Sequence, residues 1–387
     1  MDPHISNRFR QLTIKGFRRL KEVDIDMRPL CVMIGANGTG KTSVLDVLSL
    51  LANSARGSLS TSIADMSGLQ SVITYDRAED LRLGISMEVS GYEPLEYSLR
   101  LRPQGVAYLI VEEALSQQRM EQPPPFKHID SHGADIKYFE GETRKLTRPS
   151  WEHNPLETSL AQVPKMFQEP EVFRNRLASS TFYHVLNVDP RSPIRLPQPI
   201  QPATLPGKSG EQLVSCLFFL RETQREKFET IEDSLRTAFP RFDRLEFPPV
   251  AAGTIALAWR ERGYSKPLYM HQLSEGTLRF LWLTTLLQSP GLTALTLLDE
   301  PEVSLHPELL SLLADQLREA SERSQLIVAT HSDRLIRFLN PNEVLAMNVC
   351  EDGMTSVEWA DSLDLEQWLK EYSLDELWRH GRIGARA

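Results

Sequence analysis

Eight residues, Gly35-Ala36-Asn37-Gly38-Thr39-Gly40-Lys41-Thr42, restrict what this chain can fold into more than any other stretch of it. They fit the spacing GxxxxGK[ST] and stand between the apolar run "CVMI" and a segment of helical periodicity from about Lys41 to Asn53. Where a buried strand runs through a glycine-rich turn into a helix, the backbone amides can curl around phosphate oxygens. The positive end of the helix adds to the attraction. This context predicts ATP and Mg2+ as ligand and cofactor. Lys41 would reach the β- and γ-phosphates, the Thr42 hydroxyl would hold the metal, and Ser43 would complete the contact set.

A phosphate loop of this kind needs an acid on the metal side, and "LTLLDE" offers two. Asp299 follows the apolar run Leu295–Leu298, which predicts a strand's C-terminal edge, where ligands bind in open α/β sheets. Its expected role is to orient Mg2+ through water, and Glu300 is placed to accept a proton from an attacking water. An acidic helix start before Pro301 would explain one acid here but not two. His331 ends a further buried run, "LIVATH". Alone it reads as a strand-end residue with a satisfied hydrogen bond; beside the other elements it becomes a γ-phosphate contact.

"HQLSEGTLR" at 271–279 poses a different question. Ser274 is a good N-cap and Glu275 a good first-turn acid. Such a helix start is also an anion site, so it is either only a cap or half of an active site.

Charge and cysteine usage exclude some classes. The net charge is −9, so the surface as a whole does not attract nucleic acid. A basic stretch remains at Arg8, Arg10, Lys15, Arg18, Arg19 and Lys21, which reads either as a solvated strand pair or, with Arg191–Arg195, as a strip for nucleic acid. Cys31, Cys216 and Cys350 are far apart and outside any CxxC spacing, which fits a reducing cytosol rather than a disulfide framework or zinc site. His128 and His132 lack a companion pair and read as part of a polar loop. No run approaches membrane-span length and the N-terminus lacks a signal-peptide core, so a cytoplasmic protein without membrane contact is expected.

Strand-like alternation fills the first 35 residues and returns in "LRLGISMEV", "LEYSLRLRP" and "VAYLIVEEAL", predicting an antiparallel meander. Residues 116–150, with Pro123, Pro124 and Pro125, read as a loop-rich excursion. A second proline cluster, 190–206, cannot be a helix interior. Two helices are expected between 210 and 238, then strands in "RLEFPP" and "TIALAWRER". After 273 helices alternate with the strands "ALTLLDE", "QLIVATH" and "EVLAMNV", the pattern of a parallel α/β layer. A helix pair in "LDLEQWLKEYSLDELW" and a basic tail close the sequence.

The succession GANGTGKT, LSEGT, LLDEPE, SLHP and ATHS resembles an ABC-type ATPase head rather than the helicase or AAA+ arrangement. "LTIKGFRRLKEVDIDMRPLCVMIGANGTGKTSVLDVL" resembles the RecF/SMC-like branch. "EYSLDELWRHGRIG" resembles stand-alone ATPases of the AAA family related to RecF and to the ATPase half of OLD nucleases. The resemblance covers nearly the whole chain and is strongest at 10–50 and 270–335. It implies an α/β P-loop NTPase fold, an ABC-type head with an antiparallel β subdomain and a helical lobe. Residues 1–387 would form one composite head: 1–115 with the phosphate loop and meander, 116–272 a loop-rich and helical insertion, and 273–387 the signature, acids, histidine and C-terminal helices.

In ABC-type ATPases the LSGGQ signature begins a helix whose serine and glycine amides contact the γ-phosphate held by a partner subunit. Leu273, Ser274 and Gly276 match it; Glu275 replaces the first glycine and Thr277 the glutamine, with Arg279 one turn on to offset the acid. Ser304-Leu305-His306 falls at the D-loop. Gln70, in "GLQSVI", reads first as a plain surface glutamine and only second as a Q-loop residue, and Arg18 and Arg19 resemble a basic pair that flanks phosphate in SMC-like heads. Long heptads for coiled-coil arms are absent, and no OLD-type nuclease domain is expected after His331.

The resemblance therefore implies an ATP-hydrolysing switch, slow and regulated. It would work as a homodimer or higher homo-oligomer with two ATP sandwiched between protomers, controlling a separately encoded effector such as a nuclease in phage defence. A RecF-like repair ATPase bound to DNA or RNA and a non-hydrolysing nucleotide scaffold are the alternatives.

Overall fold

Strand β3 (Leu30–Ile34) is buried at every position, and its side chains divide between two cores. Cys31 and Met33 face one apolar cluster; Leu30, Val32 and Ile34 face the other. Only a strand covered on both faces reads as an unbroken apolar run. In this computed structural model, residues 7–119, 122–140, 144–363, 373–380 and 383 are described.

The strand belongs to a six-stranded sheet ordered β10-β17-β18-β3-β19-β20. Its members are β10 (Thr181–Tyr183), β17 (Leu295–Asp299), β18 (Gln325–Ala329), β19 (Val344–Val349) and β20 (Thr355–Trp359). All run parallel except β20, which pairs antiparallel with β19.

One face packs on α1 (Lys41–Ala55) and on a second, antiparallel sheet of eight strands. In chain order that sheet takes β1 (Phe9–Phe17), β2 (Leu20–Asp26), β4 (Leu81–Val89), β5 (Tyr92–Gln104), β6 (Ala107–Arg119), β7 (Gln122–His132), β8 (Asp135–Glu140) and β9 (Lys145–Thr147). β2 and β4 bury alternate residues, as a half-solvated sheet requires. The short α2 (Leu59–Asp65) and α3 (Leu69–Val72), and α4 (Gln168–Ala178), complete this side.

The other face carries the helical lobe: α5 (Leu213–Thr223), α6 (Arg225–Ala238), α7 (Glu275–Gln288) and α8 (Leu309–Ser321). From Leu278 to Gln288 only Arg279 of α7 escapes full burial, so this helix runs through the core rather than along the surface. Two small sheets border the lobe. One is β11 (Gln198–Pro199), β14 (Thr254–Ile255) and β13 (Pro249–Ala251); the other is β12 (Phe242–Glu246), β15 (Ala258–Glu261) and β16 (Leu268–Tyr269). The proline cluster, 190–206, holds no α-helix: it supplies one 3-10 turn at Pro193–Arg195 and the strand β11.

The meander and the alternating C-terminal half are as expected; residues 116–150 are not a loop-rich excursion. They finish β6 and supply β7, β8 and β9, which widen the antiparallel sheet. The proline run lies where the β6–β7 register shifts between Gln117 and Arg119, an irregular stretch that tolerates residues unable to donate to the ladder. His128 and His132 accordingly sit on a strand, not in a loop. Past α9 (Asp333–Ile336), the expected C-terminal helix pair yields α10 (Leu374–Arg379), which packs on α9; its other half and most of the basic tail lie outside the described residues. Among the described residues no helix is long and apolar enough to cross a membrane.

Candidate functional site

The turn after β3 is shaped by close backbone approach. A Cβ at Gly35 would stand 2.4 Å from the Met347 carbonyl oxygen and 2.8 Å from Thr39 Oγ1, so no side chain fits. The Thr39 amide and hydroxyl both donate to the Ala36 carbonyl, at 3.3 and 2.9 Å, and close the loop. Thr355 at the start of β20 donates to the Thr39 carbonyl at 2.7 Å. Asn37, Gly38 and Thr42 are exposed at the crest, while Gly40 leads into α1 and Ser43 is buried in its first turn.

Lys41 is buried, and its ammonium folds back to donate to the carbonyls of Gly35 and Ala36 at 2.7 and 3.0 Å. Burial brings its pKa down to about 8, against the pull of Glu300 and Asp299. Asp299 ends β17, and burial together with the neighbouring Glu300 raises its carboxyl above the usual range. Glu300 takes a left-handed backbone, φ 46°, which costs a non-glycine residue about 1–3 kcal/mol. Its amide is held by the Ala329 carbonyl at 2.8 Å. This conformation turns the carboxylate toward His331, whose Nε2 is 3.2 Å from Glu300 Oε1. Burial and the Lys41 charge lower the His331 pKa, so the imidazole is neutral at neutral pH.

Ser274 caps α7, accepting from the Thr277 amide at 3.2 Å, and is exposed together with Glu275. Gly276 packs on the loop after β17: a Cβ there would lie 2.6 Å from the Ser304 carbonyl oxygen. Arg279 donates to the Val303 carbonyl at 3.1 Å and to Ser304 Oγ at 3.2 Å. The signature helix and the expected D-loop are thus one packed unit.

The fold brings together Lys41, Asp299, Glu300 and His331. Among the described residues no hydrogen bond or ion pair joins Ser274 or Gly276 to them. Arg18 lies beside the phosphate loop's helix, bonded to Asp46 at 2.6 Å and Ser43 Oγ at 3.3 Å. Arg19 contributes its carbonyl, which accepts from the Thr355 amide at 3.0 Å. Gln70 is exposed on α3, in a depression with Glu79 and Arg102 rather than at the phosphate loop.

The sequence carries no signal for three further residues, His184, Glu302 and Thr330, nor for the place of Arg195, whose charge marks it only as part of a basic strip. Arg195 donates to the carbonyls of Met270, His271 and Leu273 and so sets the approach to Ser274. His184 follows Tyr183, which pairs with Leu298, and so stands beside Asp299; a three-residue strand gives no periodicity to find it by. Glu302 and Thr330, hydrogen-bonded to each other, lie inside "DEPE" and "ATHS", and nothing in either stretch signals that they pair.

The residues fit a magnesium–nucleotide ligand. Among the described residues no lysine or arginine pairs with Asp299 or Glu300, and Lys41 has only carbonyl partners. Carboxylate and hydroxyl oxygens suit Mg2+, and an ammonium held this way can turn to a phosphate.

A family model described as "AAA domain, putative AbiEii toxin, Type IV TA system" matches residues 30–337. No curated protein matches the sequence significantly. Among solved structures, an SMC head bound to the C-winged helix domain of ScpA superposes with a TM-score of 0.58 at 15% identity, over 95% of this chain and 99% of that one. An Smc head with an extended coiled coil, bound to the C-terminal domain of ScpA and derived from Pyrococcus furiosus, gives 0.54 at 15% identity, over 94% and 98%. One with a coiled coil and joint from Pyrococcus yayanosii gives 0.51 at 13%, over 94% and 98%. The fold is that of an ABC-type, SMC-like ATPase head.

Proposed function

The chain belongs to this AAA-domain family, and on that footing we propose that it binds ATP with Mg2+ and hydrolyses it as a slow, regulated switch. The carrying observation is that Lys41, Asp299, Glu300 and His331 meet at one sheet edge while Ser274 is exposed and unlinked to them. That is half a site plus a surface able to complete a second copy's half.

Lys41 exchanges its carbonyl partners for the β- and γ-phosphates, and the loop from Gly35 to Ser43 wraps them with backbone amides. Thr42 and Asp299 would hold Mg2+, which would supply charge neutralisation on the phosphates. Glu300 accepts the proton of the attacking water, and neutral His331 orients Glu300 and contacts the γ-phosphate. Ser274 and Gly276 of each protomer close the other's site, so two ATP lie between two protomers. Hydrolysis opens the pair, and the opening is read by a partner effector, of nuclease type in phage defence. The effector's identity rests on resemblance to RecF-like and OLD-like ATPases and on no residue of this chain.

A RecF-like DNA-binding role finds less support. Arg10 pairs with Glu88, Lys15 with Glu22 and Arg18 with Asp46. Arg8 donates to the Ser321 and Glu322 carbonyls at the end of α8, and Arg195 is committed to the signature approach. Phosphate release by the wild type with Mg·ATP, lost in Lys41→Ala and Glu300→Gln, tests the hydrolytic claim. Equal release from all three would refute it.

A further inference from the structure

The loop from Glu300 to Ser304 begins and ends on non-glycine residues in left-handed conformation, φ 46° and 63°. Two such residues four apart store strain that the surroundings must hold. Part of the restraint is backbone: the Val303 amide donates to the Glu300 carbonyl at 3.2 Å and Leu305 to that of Glu302 at 3.0 Å. Arg279 grips the far end through Val303 and Ser304.

Midway, a side chain ties this loop to the segment of His331. The Thr330 hydroxyl donates to Glu302 Oε1 and accepts from the Ser332 amide at 2.9 Å. Ser332 in turn caps α9, accepting from the Leu335 amide at 3.2 Å. His331 is therefore held between two residues of one hydrogen-bonded strap, and Glu300 lies two residues from its anchor. The second carboxylate oxygen of Glu302 is buried with no hydrogen-bond partner among the described residues, an expensive arrangement for an ionised acid and a tolerable one for a neutral acid.

We propose that Glu302 is a positioning residue: through Thr330 it fixes the strained loop against the His331 segment and so sets the Glu300–His331 pair. The strap continues through the loop to Arg279, so displacement of the signature helix is transmitted to that pair. This deepens the hydrolytic reading above and rests on it.

The test uses the full chain and the variants Glu302→Gln, Glu302→Leu, Thr330→Val and Thr330→Ser. The carboxamide of Glu302→Gln and the hydroxyl of Thr330→Ser keep the strap; the other two remove it. With wild type active, Glu302→Leu and Thr330→Val lower kcat by about ten- to a hundredfold while KM for ATP stays within about twofold. The conservative pair stays within about threefold of wild type, and the Leu/Val double variant is no worse than its worse single. A second readout needs no turnover: in the nucleotide-free protein the His331 imidazole NMR signals shift in the strap-breaking variants and stay in place in the conservative ones. Unchanged kcat and unmoved His331 signals in soluble, folded Thr330→Val would overturn the proposal. So would Glu302→Gln as impaired as Glu302→Leu, which would mean that the carboxyl itself does the work. A wild type without turnover would instead sink the hydrolytic reading, leaving the NMR comparison to judge the strap.

Discussion

His331 Nε2 stands 3.2 Å from Glu300 Oε1, a contact made between the ends of two neighbouring parallel strands, β17 and β18. The strand register places Asp299 opposite Ala329, so the residues just beyond each strand fall side by side. A left-handed turn at Glu300 does the rest. The imidazole, neutral and bonded to the carboxylate, can hold Glu300 in the orientation that a water-activating base needs.

His331→Ala should therefore lower kcat by about a hundredfold or more while nucleotide affinity changes little. Stopped-flow phosphate release alongside equilibrium binding of a fluorescent ATP analogue checks this. A loss confined to affinity would place His331 outside the chemistry.

Lys41→Ala removes the ammonium that the loop presents to the phosphates, and affinity for Mg·ATP should fall at least about a hundredfold. Calorimetric titration measures it, and removing Mg2+ with a chelator should weaken wild-type binding in the same assay.

Gly276→Ala should be destabilising before any nucleotide is present, because the new methyl would meet the Ser304 carbonyl at 2.6 Å. The expected cost is about 1–3 kcal/mol in urea unfolding. An unchanged midpoint would contradict that close approach.

Glu302 gives stability a pH dependence of known sign. Burial, with Glu300 adding to it, raises its carboxyl from 4.5 to about 7, against the Thr330 hydroxyl and the backbone amides of Glu302 and His331. The folded chain thus keeps a proton that the unfolded chain has lost between those values. Stability from this group is full below pH 4.5 and declines as pH rises to about 7, by up to about 3 kcal/mol. Asp299 and Glu113 are shifted in the same direction, so the measurement is the difference between wild type and Glu302→Gln across this window. Parallel curves would contradict the assignment.

The placement of Lys41 and of the two acids is legible because it is local: a strand, a turn and a helix start fix Lys41, and an apolar run fixes Asp299. The parallel layer was legible from unbroken apolar runs such as Leu295–Leu298. β7 to β9 were not, because their partners are other polar strands and Pro123–Pro125 imitates a loop. Gln70 has only its residue type to suggest a Q-loop, and its exposed place on α3 agrees with the plain surface glutamine. His184, Arg195 and the Glu302–Thr330 strap depend on strand order and on contacts between distant segments, which no periodicity encodes.

Solution mass of Glu300→Gln with and without Mg·ATP tests the composite site most directly. The account predicts a nucleotide-driven doubling that Ser274→Arg, placed in the same background, abolishes. A monomer under both conditions would contradict it and leave Ser274 a helix cap.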